Sequence, residues 1–136
     1  MKAVYYRRGY KYQTSRVFEI ETGILGMLPL ETDWLFLSPE GLLTIRKGYA
    51  WDGASGPTID TKSTFRGSLT HDALYQLMRL ELLDRSWRDH ADELLRKLCI
   101  EDGMWSFRAN YWWVFVDKLA GAACRPSAEP QEEVAP

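Results

Sequence analysis

The spacing of apolar and polar positions changes along this chain. Val17-Phe18-Glu19-Ile20-Glu21-Thr22 alternates, which predicts a half-buried strand. Tyr5–Gln13 is aromatic and basic and suits an earlier, edge strand. Gly23, Gly26 and Pro29 punctuate the segment after the alternating run. Trp34-Leu35-Phe36-Leu37 and Leu42-Leu43-Thr44-Ile45 are short apolar runs. Ser38-Pro39-Glu40-Gly41 between them carries Pro at the second position of a turn, so the two runs read as a β-hairpin. The stretch Trp51-Asp52-Gly53-Ala54-Ser55-Gly56-Pro57 reads as a loop, because its glycines and proline do not continue a strand. Beyond it the period lengthens to that of helices. Ser63 or Thr64 can cap a first helix over about Arg66–Leu83. Ser86 followed by Asp89 makes a capping-box-like start for a second, about Trp87–Glu101, with Gly103 as its stop. A third is predicted over about Ser106–Ala123. From Arg125 the chain is rich in Pro, Glu, Ala and Ser and reads as a disordered acidic tail. Strands followed by helices predict an α+β fold, with N-terminal antiparallel strands packed on a C-terminal bundle of three helices. The expected layout is one domain over residues 1–124 and a tail over 125–136.

Composition narrows the function classes. A chain of 136 residues can build one core without staples. Seventeen Lys and Arg against nineteen Asp and Glu give a net charge of −2, so a global basic field for nucleic acid is not expected. Arg7, Arg8, Lys11 and Arg16 do interleave with Tyr5, Tyr6, Tyr10 and Tyr12, which suits either stacking on a nucleic-acid strand or defence of a sheet edge. Cys99 and Cys124 are too few for a disulfide scaffold or a Cys-rich zinc site. The first eight residues lack the apolar core of a signal peptide, and Tyr111–Val116 is far too short to span a bilayer. A soluble product that is not secreted by a signal peptide is therefore expected. Aromatic residues reach 13%, so the core or a contact surface relies on large rigid side chains.

Candidate chemistry concentrates on the first helix. At about 100° per residue, His71, Asp72 and Tyr75 share one arc, joined by Ser68, while Leu69, Ala73, Leu74, Leu77 and Met78 fill the apolar side. Such a strip can poise a His as base or metal ligand, with Asp as ligand or orienter and Tyr as hydrogen-bond partner. The alternative is a solvent-facing strip. In the loop, Asp52 and Ser55 offer oxygens, and Gly53 and Gly56 allow close backbone approach. The alternative there is a local turn with Trp51 in the core. On the second helix, His90 and Asp92 flank the apolar stripe on opposite sides, and either could reach a site between the helices.

Gly48-Tyr49-Ala50-Trp51-Asp52-Gly53-Ala54-Ser55-Gly56-Pro57, His71-Asp72-Ala73-Leu74-Tyr75 and Ala91-Asp92 together resemble a family of small phage and prophage proteins. That family is the domain of unknown function thirteen-fifty-three. The resemblance runs from about Tyr5 to Leu119. It implies a tailed-phage or prophage product, in the host cytoplasm during expression or in the virion. Its implied partners are other phage proteins or an envelope substrate.

A second resemblance is confined to the site. His71-Asp72-x-x-Tyr75, facing an Asp on a second helix, is similar to the layout of secreted phospholipases A2. It implies His71 as base for a water, Asp72 as calcium ligand, Tyr75 as orienter and Asp92 as its partner. The bracing disulfides and the Gly- and Cys-rich calcium loop of those enzymes have no counterpart, and only Trp51–Pro57 could stand in for the loop. The resulting expectation is a hydrolase of an ester or amide, assisted by a divalent cation (Ca, Mg or Zn) and directed at the cell envelope. His71, Asp92 and Tyr75 would be catalytic, Asp72 and Asp52 would hold the cation, and Trp51, Gly53 and Ser55 would line the site. The rival is a non-enzymatic virion tail or assembly protein, in which Asp52, His71, Asp72 and Tyr75 form a buried hydrogen-bond network.

Overall fold

A computed structural model describes residues 4–6, 12–51, 62–104, 109, 113, 124–126 and 133–135. The strands are β1 (Val4–Tyr6), β2 (Tyr12–Gln13), β3 (Phe18–Glu21), β4 (Leu30–Glu31), β5 (Leu35–Leu37), β6 (Leu42–Ile45), β7 (Ala50–Trp51) and β8 (Glu133–Ala135). The helices are α1 (Lys62–Arg79) and α2 (Arg88–Glu101). The architecture is α+β: antiparallel strands in the N-terminal part, then helices.

The main sheet has the order β3-β6-β5-β4, every pair antiparallel. Its register explains the alternation in the sequence. Ile20, Leu43, Leu37 and Leu30 form one cross-strand row on the inner face, and Glu19, Thr44, Phe36 and Glu31 form one on the outer face. The inner row and Leu35 and Ile45 join Leu69, Ala73, Leu74, Leu77 and Met78 of α1 in one apolar core. The hairpin turns where expected. Ser38 accepts from Gly41 N at 2.9 Å and its own N–H donates to Leu42 O at 2.9 Å. Gly41 has φ +88°, and a Cβ there would lie 2.9 Å from the Ile24 carbonyl oxygen, so this turn requires glycine.

Several boundaries differ from the expectations. The first helix starts at Lys62, which puts Ser63 and Thr64 inside its first turn, and it ends at Arg79 rather than Leu83. The chain turns at Glu81, which takes the left-handed φ of 62°, and Leu83 is carried back into the core. Asp84, not Ser86, supplies the next cap: its carboxylate accepts from Ser86 N at 2.8 Å and opens a short 3₁₀ turn over Arg85–Trp87. Gly103 ends α2 as expected, with Met104 N–H donating to Cys99 O and Gly103 N–H to Ile100 O.

Trp51 belongs to β7, paired with Tyr12, instead of opening the loop. Of the expected third helix, Ala109 and Trp113 are described and helical, and the rest lies outside the described residues. The tail expected to be disordered includes β8, whose backbone pairs antiparallel with β1. Val134, a strand-favouring residue type, stands opposite Tyr5 there.

Candidate functional site

The polar strip of α1 meets α2 at one carboxylate. Asp92 has no exposed surface, although it lies in the first turns of a helix whose outer positions are charged. Two side chains of α1 hold it. His71 Nε2 lies 2.7 Å from Asp92 Oδ1, and the Tyr75 hydroxyl donates to the same oxygen at 2.6 Å. The four-residue step from His71 to Tyr75 stacks their rings, with centroids 4.0 Å apart, so one helical face presents both donors. A carboxylate only accepts, so Nε2 carries the proton. In the neutral ring this leaves the lone pair on Nδ1.

On the Nδ1 side stands Asp72, with Oδ1 at 3.9 Å, beyond direct hydrogen bonding. Asp72 is partly exposed, whereas His71 is only 9% exposed. Burial works to lower the pKa of His71, but Asp72 and Asp92 outweigh it, and the imidazole titrates above its ordinary value. Burial, followed by the bond to Asp92, pushes the Tyr75 phenol well above its ordinary value, so it serves as a fixed donor. The second oxygen of Asp92, Oδ2, is buried and has no hydrogen-bond partner among the described residues.

A second contact docks a strand end beside this strip. Trp51 is buried, and its indole N–H donates to Ser68 Oγ at 3.2 Å, one helical turn before His71. The Ser68 hydroxyl donates in turn to Phe65 O. Tyr12 packs against both Trp51 and Phe65, with centroids 5.5 and 5.0 Å apart. The Tyr12–Phe65 contact is non-local and left no signal in the periodicity.

His71, Tyr75 and Asp92 are thus brought together, and Asp72 stands beside them. Asp52, Gly53 and Ser55 lie outside the described residues. His90 does not join the group. Its Nε2 lies 2.6 Å from the Thr22 carbonyl oxygen and its ring meets the edge of Trp87, so it ties α2 to the segment after β3. Asp89 is exposed and Glu93 pairs with Arg96.

Among the described residues no three His, Cys, Asp or Glu side chains gather as a cation site. Asp72 alone beside the imidazole does not make one. Also among the described residues, no helix is long and apolar enough to cross a membrane. No family model, curated protein or solved structure matches the chain.

Proposed function

We propose that this chain is a phage or prophage hydrolase in which His71 activates a water for attack on an ester or amide. The observation behind this reading is the anchoring of His71 Nε2 on buried Asp92, which leaves Nδ1 as the ring atom that can take a proton. Tyr75 holds the same carboxylate oxygen and so fixes the direction of the acceptor. In this scheme the water gives its proton to Nδ1 while its oxygen bonds to the acyl carbon. The imidazolium formed is stabilised by Asp92 and returns the proton to the ester oxygen or amide nitrogen as the bond from that atom to the acyl carbon breaks, releasing acid and alcohol or amine. The Trp51–Ser55 and His71–Tyr75 motifs support the phage origin.

A second reading has its own support. Asp92 is wholly buried and His71 nearly so, as in a network that serves only to lock α1 on α2. A panel of p-nitrophenyl esters and anilides of graded acyl length separates the two. Turnover by the wild-type protein that is lost in His71→Gln, with the helical circular-dichroism signal retained, supports the hydrolase. Equal turnover in His71→Gln, or none by the wild type across the panel, assigns the trio to the structural lock.

A further inference from the structure

We infer that the outer edge of β3 takes up an extended, cationic peptide segment as an added strand. Among the described residues β3 has one neighbour, β6, and stands at the end of the four-stranded sheet. The opposite edge is treated differently. There β4 is only two residues long and its Glu31 is clamped by Arg46 at 2.7 Å. A four-residue edge such as β3 presents a ladder of backbone donors and acceptors that another chain can complete.

The side chains of β3 state what that chain should carry. Glu19 and Glu21 are exposed at alternate positions, as is Val17 just before the strand, at 57%. Phe18 is half-buried at the rim of the apolar core, and Ile20 lies within it. Lys or Arg on one face of an added strand would meet Glu19 and Glu21, and apolar residues on its other face would extend the core past Phe18. A second copy of this protein fits poorly. Antiparallel self-pairing about Ile20 sets Glu19 of each copy opposite Glu21 of the other, and like charges directly opposite are destabilising. The occupant is therefore a cationic segment of another protein.

The test uses the full chain, labelled with ¹⁵N, and a synthetic probe, acetyl-Lys-Val-Lys-Val-Lys-Val-amide. We expect saturable shifts in the amides of residues 17–21 and of neighbouring β6. The Glu analogue of the peptide should give none. Affinity should fall at least tenfold in Glu19→Lys/Glu21→Lys. It should also fall at least tenfold for one of the two peptides N-methylated at alternate residues, because one phase removes the donors that face β3. Shifts elsewhere, or none, would overturn the assignment. Equal affinity of both N-methylated peptides would reduce it to charge attraction without strand pairing and overturn it too. Self-association of the chain that broadens residues 17–21 would instead assign the edge to a second copy.

Discussion

Two of the joints that hold helix α1 differ in chemistry. At one, Leu74, Leu77 and Met78 share a single apolar core with Leu35, Leu37, Leu43 and Ile45 of the sheet, all nearly or fully removed from water. At the other, α1 meets α2 through an apolar strip interrupted by His71, Tyr75 and Asp92. The first joint is strong and non-directional, since each fully buried Leu contributes about 1.5–3 kcal/mol wherever it finds apolar neighbours. The second is directional, because one carboxylate oxygen must face two donors at once. Sliding or rotating α1 on α2 by one residue keeps much of the apolar contact and loses both hydrogen bonds. The apolar joint therefore sets how tightly α1 is bound, and the polar joint sets where it sits.

Removing Asp92 should give the largest effect. Asp92→Ala leaves the His71 ring N–H and the Tyr75 hydroxyl buried without their acceptor. The expected cost is about 3–5 kcal/mol, as for other buried pairs broken on one side. Leu43→Ala in the apolar joint removes about 2–5 kcal/mol by opening a cavity, so midpoints alone do not tell the joints apart. The His71 ring resonances do. They should move in Asp92→Ala and stay in place in Leu43→Ala. Urea unfolding with tryptophan fluorescence as the readout supplies the energies, and a loss below about 1 kcal/mol in Asp92→Ala would mean that the carboxylate does not fix the joint.

A smaller effect separates the joints by pH. His71 is raised in the folded state, so its contribution is fully present below the unfolded value of about 6.5. It is lost as the pH rises through the folded value, because the folded protein then gives up a proton that the unfolded chain has already released. Stability should fall on the alkaline side of about pH 6.5, and the slope should disappear in His71→Gln. Leu43→Ala should lower the whole curve and keep its slope. If the protein turns over an ester, activity should rise across the same interval, since only neutral Nδ1 accepts a proton. A stability curve that rises through this interval in the wild type but not in His71→Gln would reverse the charge assignment.

The two joints were also unequally legible in the sequence. Alternation and a Pro-Glu-Gly turn are local signals, so β3, β5 and β6 and their hairpin could be read directly. Strands β4 and β7 have two residues each and exist through their partners, which no local pattern reveals. Leu80, Leu82 and Leu83 continue the apolar pattern past the end of α1, while the backbone reverses at Glu81, so the helix end carries no periodic signal. At the site, the spacing of His71, Asp72 and Tyr75 on one helical face was legible from the wheel. The wheel alone did not choose between Asp92 and His90, because they flank the α2 stripe on opposite sides; the resemblance to secreted phospholipases A2 pointed to Asp92, which His71 and Tyr75 do hold. The choice depends on which flank α1 covers, and that is decided by non-local packing: α1 takes Asp92 and the segment after β3 takes His90.

The smallest expected effect lies at the outer end of the polar joint. Arg66 near the start of α1 reaches the end of α2, with Nη2 2.8 Å from Glu101 and 2.9 Å from Asp102, and Nε 3.1 Å from the other Asp102 oxygen. The fork is well aligned and raises the Arg66 pKa, chiefly through the bond to Asp102. Yet Arg66 is a third exposed and Glu101 mostly so, and solvent screens such pairs. Arg66→Gln should therefore cost only about 0.5–1 kcal/mol at low ionic strength and less in about 0.5 M salt. Asp92→Ala should be nearly salt-independent by contrast, since its partners are buried. A salt-independent loss above about 2 kcal/mol in Arg66→Gln would mean that directionality between α1 and α2 is spread along the whole interface. A small, screened loss leaves it concentrated at the one carboxylate shared by His71 and Tyr75.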